Sequence, residues 1–200
     1  MKENLKDVKE VLFIVDMNNG FCNNGNLADP DIKKIIPNII NWVTIYRMRG
    51  AQIVNVNDKH TEGSIELKRY AMHCHNDEES KTVSELYDQV KDAKEFYKNS
   101  TCALFAPGMM DYLMDLVDLE RVVIVGCCSD ICIQNFAIAL RNFFDELNMD
   151  IEIVVPFDAI DTFNIPNVHE RDKVNLLASK EMERNGIKLI RKLEVNNNEK

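Results

Sequence analysis

The sequence predicts a three-layer α/β/α fold around a central, mostly parallel sheet. Short apolar runs alternate along the chain with stretches in which apolar residues recur at helical spacing. Most of these runs end at a polar residue or a glycine, as buried strands do where they enter a loop. Strands that alternate with helices are typical of a parallel sheet with right-handed crossovers and helices on both faces.

The elements follow this pattern in order. Val11 to Val15 is an apolar run that predicts a buried strand ending at Asp16. Ile32 to Arg49 has apolar residues at helical spacing, with Pro30 before it and Gly50 after it, and is therefore predicted to be a helix. Further strands are predicted at Ile53 to Val56, Phe96 to Tyr97, Val122 to Val125, Ile151 to Val155 and Ile187 to Ile190. Further helices are predicted at Met109 to Leu116, at Ser129 to about Leu147, and from about Val168 onward.

Length and composition indicate one domain followed by a short tail. The chain has 200 residues, 46% of them hydrophobic, which is enough for the core of one α/β domain. We place that domain at residues 1–193 and a polar tail at residues 194–200. Residues 59–92 are polar and too long for a plain connection, so they are interpreted as a functional excursion.

Charge and cysteine usage narrow the possible partners and the cellular location. The formal net charge of −9, with both signs interspersed, disfavours nucleic acids and anionic membrane surfaces. Residues 1–10 lack the apolar core of a signal peptide and no run is long enough to span a bilayer, so we expect a cytoplasmic protein. The six cysteines are expected to be reduced in that compartment. We also expect a small-molecule substrate and a homo-oligomer.

Chemically reactive side chains follow the ends of several predicted strands. They are Asp16, Asp58, Lys98, the segment around Cys128, and Asp158. The carboxyl ends of parallel strands lie at one edge of a sheet, and ligands bind beyond that edge. The sequence therefore predicts a functional site there.

Cys132 lies in the first turn of a helix that Ser129 and Asp130 are expected to cap. Unpaired backbone N–H groups and the positive end of the helix dipole would favour a thiolate there and so lower the pKa of Cys132. The alternative is a small buried residue that packs the start of the helix. The neighbouring Cys127 and Cys128 are interpreted as packing or backbone contributors.

Asp16 and Lys98 are candidates for proton transfer and charge pairing. Burial at the end of a strand would raise the pKa of Asp16 toward the range that is useful for proton transfer. Lys98 would then pair with Asp16 and place positive charge near the thiol. The alternatives are an aspartate that only caps a loop and a solvated lysine. His169, which lies outside the polar excursion, is interpreted as a surface residue.

A possible metal site lies in the polar excursion, which contains three of the four histidines. These are His60, His73 and His75. Asp58 with His60 and His73 would offer a carboxylate and two imidazoles, a donor set that suits zinc, iron or manganese. Glu66 or Glu62 would be a further ligand. A solvated loop is the alternative.

Three segments, taken in order, resemble the isochorismatase-like cysteine hydrolases. They read VLFIVDMNNGFCNNGNL, YKNSTCALFAPG and VVIVGCCSDICIQNFAIAL. The resemblance implies that Asp16 is the catalytic aspartate, Lys98 the catalytic lysine and Cys132 the nucleophile. It also implies a non-proline cis peptide between Cys128 and Ser129, with the N–H groups of Cys128 and Cys132 as the oxyanion hole.

Within that superfamily the chain resembles the nicotinamidases. This resemblance implies a divalent transition metal held by Asp58, His60, Glu66 and His73. Phe21 stands where an aromatic residue packs on the substrate, and Tyr70 stands where the family commonly has a ring-stacking tryptophan. The implied reaction converts nicotinamide, or a similar small aromatic carboxamide, to the acid and ammonia through a cysteine thioester. Other small-amide or carbamoyl hydrolases of the superfamily, and a non-catalytic binding protein on this fold, remain alternatives.

Overall fold

A seven-stranded sheet forms the middle layer of the protein in the computed structural model, which describes residues 7–191. Its strands are β1 (Glu10–Val15), β2 (Gln52–Asp58), β3 (Lys94–Lys98), β4 (Arg121–Cys127), β5 (Glu152–Pro156), β6 (Ile160–Asp161) and β7 (Lys188–Ile190). All strand pairs within the described residues are parallel. The predicted parallel sheet is therefore confirmed, and β6 is a short strand that the sequence did not predict.

The order of the strands creates one crevice at the carboxyl edge of the sheet. The order is β3-β2-β1-β4-β5-β7, and β6 pairs with the end of β4. The chain moves outward from β1 through β2 to β3, then returns to place β4 on the other side of β1. Ligands bind at such a reversal point in open parallel sheets. The loops that follow β1 and β4 therefore border the expected site.

Helices cover both faces of the sheet. The α-helices of the described residues are α1 (Asn19–Cys22), α2 (Ile36–Met48), α3 (Asp77–Ser80), α4 (Tyr87–Val90), α5 (Met109–Asp115), α6 (Gln134–Glu146) and α7 (Arg171–Arg184). Phe13 and Val15 of β1 share one core with residues of α5, α6 and α7. Leu12 and Ile14, which point to the opposite face because side chains alternate along a strand, share a second core with residues of α2. The three-layer arrangement is thus confirmed.

Two of the predicted helices begin differently from the expectation. The first is divided into a 3-10 turn, Pro30–Ile35, and α2. Pro37 lies in the first turn of α2 and has no N–H, so the hydrogen-bond ladder starts again there. The helix predicted from about Val168 begins at Arg171, because Ile165 and His169 are held in an antiparallel bridge.

The segment after β4 begins as a π-helical turn, Ser129–Ile133, before it continues as α6. The N–H of Ile133 donates to the carbonyl of Cys128 at 3.1 Å. Cys128 occupies the cap position, and the turn has no side-chain cap. The prediction that Ser129 and Asp130 cap this helix is wrong, because both side chains bind residues from elsewhere in the fold. Ser129 bonds to Asn175, and Asp130 bonds to Thr162 and His169.

β1 and β4 approach each other closely just before the candidate site. Gly126 of β4 is paired in register with Val15 and has φ +117°. A Cβ atom at this position would lie 2.0 Å from the carbonyl oxygen of Val15. Only glycine fits this contact, which sets the spacing of the loops that follow both strands.

The domain boundary at residue 193 and the tail at residues 194–200 lie outside the described residues. Between residues 7 and 191, no helix is both long and apolar enough to cross a membrane.

Candidate active site

The carboxyl ends of four strands bring the predicted acids, lysine and thiol together. Asp16 directly follows β1, and Asp58 and Lys98 are the last residues of β2 and β3, where they are partners in register. Cys132 lies in the π-helical turn that follows β4. Residues from four separate parts of the chain therefore meet at the crevice between β1 and β4.

Asp16 is held by the backbone on both sides. Its N–H donates to the carbonyl of Val56 at 2.8 Å, and its Oδ1 accepts from the N–H of Asp58 at 2.8 Å. Its φ of +53° lies in the left-handed region, which non-glycine residues rarely adopt and which is enriched at functional sites. Burial raises the pKa of Asp16 to about 6, although Lys98 opposes this rise. A carboxyl group with this pKa can accept and release a proton near neutral pH.

Lys98 bridges two carboxylates in the interior. Its Nζ lies 2.8 Å from Asp16 Oδ2 and 2.8 Å from Asp58 Oδ1, and the side chain is fully buried. Burial alone would lower the pKa of Lys98, but the two carboxylates raise it well above its ordinary value. Burial would likewise raise the pKa of Asp58, yet Lys98 and the neighbouring histidines lower it. Lys98 and Asp58 are therefore held in their charged forms.

The thiol of Cys132 lies beside this charge pair. Its Sγ is 3.6 Å from Lys98 Nζ, and it hydrogen-bonds to Asp16. Burial raises the pKa of the Cys132 thiol well above its ordinary value; Lys98 lowers it, whereas Asp16 and Asp58 add to the rise. The expectation of a lowered pKa is wrong, because burial and the two carboxylates raise the pKa of Cys132 by more than Lys98 lowers it. Cys132 is thus a protonated thiol next to a group that can take its proton.

A non-proline cis peptide bond joins Cys127 to Cys128. The bond implied from sequence lay one residue later, between Cys128 and Ser129, and that position is wrong. β4 continues through Cys127, which pairs with Asp161 of β6, so the chain leaves the sheet only at Cys128. Cys128 and Cys132 line the same cavity, and their backbone N–H groups remain the candidates for an oxyanion hole.

The four predicted metal ligands form one buried cluster. Asp58, His60, Glu66 and His73 each offer a donor atom, and these atoms lie within 4.8 Å of one another. Glu62, the alternative to Glu66, is exposed. The structure therefore places Glu66 with the other three ligands.

The two imidazole rings are oriented by oxygen atoms outside the cluster. His60 Nδ1 lies 3.0 Å from Asn99 Oδ1, and His73 Nδ1 lies 2.7 Å from the carbonyl of Ala71. Both Nδ1 atoms therefore lie next to acceptors, and in the tautomer in which they donate to these oxygens the Nε2 lone pairs would face the cluster. These Nε2 atoms are 3.1 Å apart, and each is 3.3 Å from Asp58 Oδ2.

This donor set fits a divalent transition metal. Two nitrogen lone pairs and a carboxylate oxygen that converge within about hydrogen-bonding distance repel one another unless a positive charge lies between them. Asp58 raises the pKa of His60 against the effect of burial, so the cluster attracts positive charge. Neutral imidazoles and carboxylates are the ligands that zinc, iron and manganese prefer.

A small cavity, about 50 Å³ in volume, adjoins the thiol and the metal-ligand cluster. Phe21 and Tyr70, which the resemblance places next to the substrate, line this cavity, and their ring centroids lie 5.4 Å and 6.4 Å from that of His73. Leu27 and Phe163 also line it and were not predicted. Phe163 follows β6, the short strand that the sequence did not predict, so no local signal indicated that it lines the site.

Two further residues have partners that the sequence did not indicate. Asp158 follows β5 at the predicted edge, but it accepts a hydrogen bond from Trp42 Nε1 of α2 at 3.1 Å and does not join the cluster of Asp16, Lys98 and Cys132. His169 was interpreted as a surface residue, but it is half-buried and its Nε2 lies 2.9 Å from Asp130 Oδ2. Its ring stacks on Phe163 at a centroid distance of 3.9 Å. Neither set of contacts could be deduced from local sequence, because the partners are distant in the chain.

The described residues define a parallel α/β protein whose crevice brings together an aspartate, a lysine and a cysteine. Residues 10–181 match the isochorismatase domain family. The chain belongs to the isochorismatase family of hydrolases.

Solved structures with the same fold include several amide hydrolases. N-carbamoylsarcosine amidase from Thermoplasma acidophilum is 23% identical, with 94% of this chain and 99% of that chain covered and a TM-score of 0.72. The zinc complex of pyrazinamidase from Pyrococcus horikoshii is 24% identical, with coverages of 92% and 99% and a TM-score of 0.72. Nicotinamidase from Bacillus subtilis is 20% identical, with coverages of 92% and 100% and a TM-score of 0.75. A comparison with curated protein sequences finds no significant match.

Proposed function

We propose that this protein hydrolyses nicotinamide, or a similar small aromatic carboxamide, to the acid and ammonia through a thioester on Cys132. The observation that carries this proposal is the direct contact between two sets of buried groups. Lys98 joins Asp16 and Cys132 on one side to Asp58 and its histidines on the other. A nucleophilic site and a ring-binding site would then share one small cavity.

In the first half of the proposed reaction, Asp16 accepts the thiol proton as Cys132 Sγ attacks the amide carbon. The C–N bond then breaks, and the proton on Asp16 passes to the departing nitrogen, which leaves as ammonia. The acyl group remains on Cys132 as a thioester. The raised pKa of Asp16 suits both transfers, because the group must accept a proton and then release it.

In the second half, water gives a proton to Asp16 and attacks the thioester carbon. The C–S bond breaks, the acid leaves, and the proton returns to Cys132 Sγ. The backbone N–H groups of Cys128 and Cys132 are the proposed donors to the oxyanion in both halves, at about 3 kcal/mol per donor. Lys98 keeps its charge throughout and holds Asp16 close to the thiol.

Asp58, His60, Glu66 and His73 are the proposed ligands of a divalent transition metal. Such an ion would supply a coordination position for the pyridine nitrogen and so orient the ring. Phe21 and Tyr70, which flank His73, would contact the faces or edges of that ring. The zinc complex of the pyrazinamidase from Pyrococcus horikoshii supports this choice of ligand class.

A second candidate is the hydrolysis of another small amide or of a carbamoyl group without a required metal. The similarity to N-carbamoylsarcosine amidase favours it. A non-catalytic binding protein on this fold is less well supported, because Asp16, Lys98 and Cys132 are all present and in contact.

The cellular setting that we propose follows from the same substrate. Nicotinamide hydrolysis would place the protein in the salvage of pyridine nucleotides in the cytoplasm. We further propose that the protein acts as a homo-oligomer. Its net charge of −9 disfavours nucleic-acid and membrane partners.

Metal analysis combined with amide kinetics tests the proposed function. The purified protein should hold close to one transition metal per chain and release ammonia from nicotinamide. Chelation should raise the apparent KM for nicotinamide far more than that for benzamide, which lacks the ring nitrogen. A protein that holds no metal, or whose chelation affects both amides equally, would favour the metal-independent candidate. Absence of ammonia release from every amide would favour the binding protein.

A further inference from the structure

Residues 162–169 form a short hairpin, here called the wall hairpin, at the side of the cavity. The N–H of Ile165 donates to the carbonyl of His169 at 2.9 Å, and the N–H of His169 donates to the carbonyl of Ile165 at 2.8 Å. Phe163, in the first leg of the hairpin, lines the cavity together with Cys132. The wall hairpin therefore contributes an aromatic ring to the space next to the thiol.

His169, at the end of the wall hairpin, fixes the position of that ring. The two rings are stacked, with a centroid distance of 3.9 Å and an interplanar angle of 11°. His169 Nδ1 also lies 3.0 Å from the carbonyl oxygen of Phe163 itself. One face of the Phe163 ring is thus covered by the imidazole, which leaves the remainder of the ring for the cavity.

The carboxylate of Asp130 ties both legs of the wall hairpin to the turn that holds the thiol. Its Oδ1 accepts from Thr162 Oγ1 at 2.7 Å, and its Oδ2 lies 2.9 Å from His169 Nε2. Asp130 belongs to the same π-helical turn as Cys132 and stands two residues before it. The side chain of Asp130 therefore links the hairpin that carries Phe163 directly to the turn that carries Cys132.

The opposite side of the wall hairpin is fastened to the segment that carries Leu27, another residue of the cavity. Asp29 Oδ2 accepts from the N–H of Asn164 at 2.9 Å and from Arg171 at 2.6 Å. Arg171 also donates to the carbonyl of Thr162 at 2.7 Å. Bonds at both sides keep the hairpin in one position and so preorganise the wall for a ligand.

We propose that Phe163 contacts the substrate ring and determines ring specificity, and that His169 and Asp130 are positioning residues that act through Phe163. This inference rests on the proposed function, since it concerns the ring of the same carboxamide. His169 and Asp130 do not touch the reacting atoms in this assignment. Their effect is to hold an aromatic surface at a set distance from Cys132.

A double-mutant cycle tests this inference. Phe163→Leu should raise the KM for nicotinamide and for benzamide by about fivefold to tenfold, the range expected for loss of an aromatic contact, with little change in kcat. His169→Ala should raise both KM values by a smaller factor. In the Phe163→Leu background, His169→Ala should have no further effect, because it acts only through that ring. Val168→Ala, a change at an 80% exposed position of the same hairpin, is the matched control and should leave KM unchanged.

A thiol-alkylation assay separates this inference from the proposed function. Iodoacetamide has no ring, so its reaction rate with Cys132 should be the same in wild type and Phe163→Leu. Benzamide should slow this reaction in wild type and slow it less in Phe163→Leu and His169→Ala. Protection without ammonia release would contradict the proposed function and leave the aromatic contact supported. Equal protection in all variants, additive KM effects in the double mutant, or a loss of kcat alone would overturn the role of the wall hairpin.

Discussion

Two buried carboxylates share one lysine at the centre of the site. Lys98 lies 2.8 Å from an oxygen of Asp16 and 2.8 Å from an oxygen of Asp58, and all three side chains are buried. Buried charges are tolerated only when they are paired and hydrogen-bonded, so each of these residues depends on the other two. A change at one of them is therefore expected to affect both the thiol and the metal-ligand cluster.

Cys132→Ala should abolish ammonia release while the protein folds normally. Cys132 is the cysteine whose Sγ contacts Lys98 and hydrogen-bonds to Asp16, and turnover should fall by a factor of about a thousand or more without it. Cys128→Ala is the matched control, because only the backbone N–H of Cys128 is assigned a role. Steady-state ammonia release checks both variants. The assignment would be wrong if Cys132→Ala stayed active and Cys128→Ala did not.

Asp16→Asn should lower kcat by about 100-fold, the usual contribution of a positioned general base, with a smaller effect on KM. Alkylation of Cys132 should slow as well, because the thiol proton loses its acceptor. Asp158→Asn serves as the control, since its carboxylate binds Trp42 on α2. Circular dichroism should show the same fold for both variants. Unchanged turnover in a folded Asp16→Asn protein would move the base to another residue.

At the scale of elements, the contact between β1 and β4 determines how closely Asp16 and the π-helical turn can approach. Gly126→Ala would place a Cβ atom 2.0 Å from the carbonyl oxygen of Val15. We expect it to lower the free energy of unfolding by about 3 kcal/mol or more, because both strands lie in the middle of the sheet. Urea-induced unfolding measures this change.

Gly50→Ala is the control for this experiment. Gly50 also has a positive φ, +80°, but a Cβ atom there would meet nothing within 4 Å. Gly50→Ala should lower the free energy of unfolding by only about 1 kcal/mol, because alanine disfavours the left-handed backbone conformation but meets no clash there. If Gly126→Ala and Gly50→Ala lowered the free energy of unfolding by the same amount, the close approach of β1 and β4 would not be the reason for glycine at position 126.

For the whole molecule, a bound metal should stabilise the folded state. The four donors come from the end of β2 and from the long excursion after it, so they are brought together only by folding. An ion that binds the folded state alone should raise the midpoint of thermal unfolding by about 5–10 °C at a free-metal concentration of about 100 times Kd. Differential scanning calorimetry with and without added zinc measures this shift.

His60→Ala should remove the stabilisation by zinc. His75→Ala is its control, because His75 lies on the surface outside the cluster, with its side chain 44% exposed. An equal zinc effect in both variants would mean that the ion binds elsewhere in the chain. If added zinc did not raise the midpoint of thermal unfolding of the wild-type protein, the result would count against the metal site itself.

The sequence by itself determined the layers and the parallel sheet, together with the edge at which the site lies. Apolar runs, helical periodicity and strand-end residues are local features, and a local pattern is enough to predict the order of strands and helices. The motif around Cys132 was sufficient to indicate the family, which the match over residues 10–181 confirms. The roles of the site residues remain predictions.

Only the tertiary structure decided which of these side chains meet. It placed Glu66 rather than Glu62 with the histidines, and it buried Lys98 between two acids. It also raised the pKa of Cys132, which the helix dipole alone would have lowered, and it stacked His169 on the ring of Phe163. Each of these outcomes depends on burial and on distances between residues far apart in the chain. A pattern of neighbouring residues contains neither quantity, so the second acidic partner of Lys98, the raised pKa of Cys132 and the stacking of His169 on Phe163 could not be predicted before the fold was known.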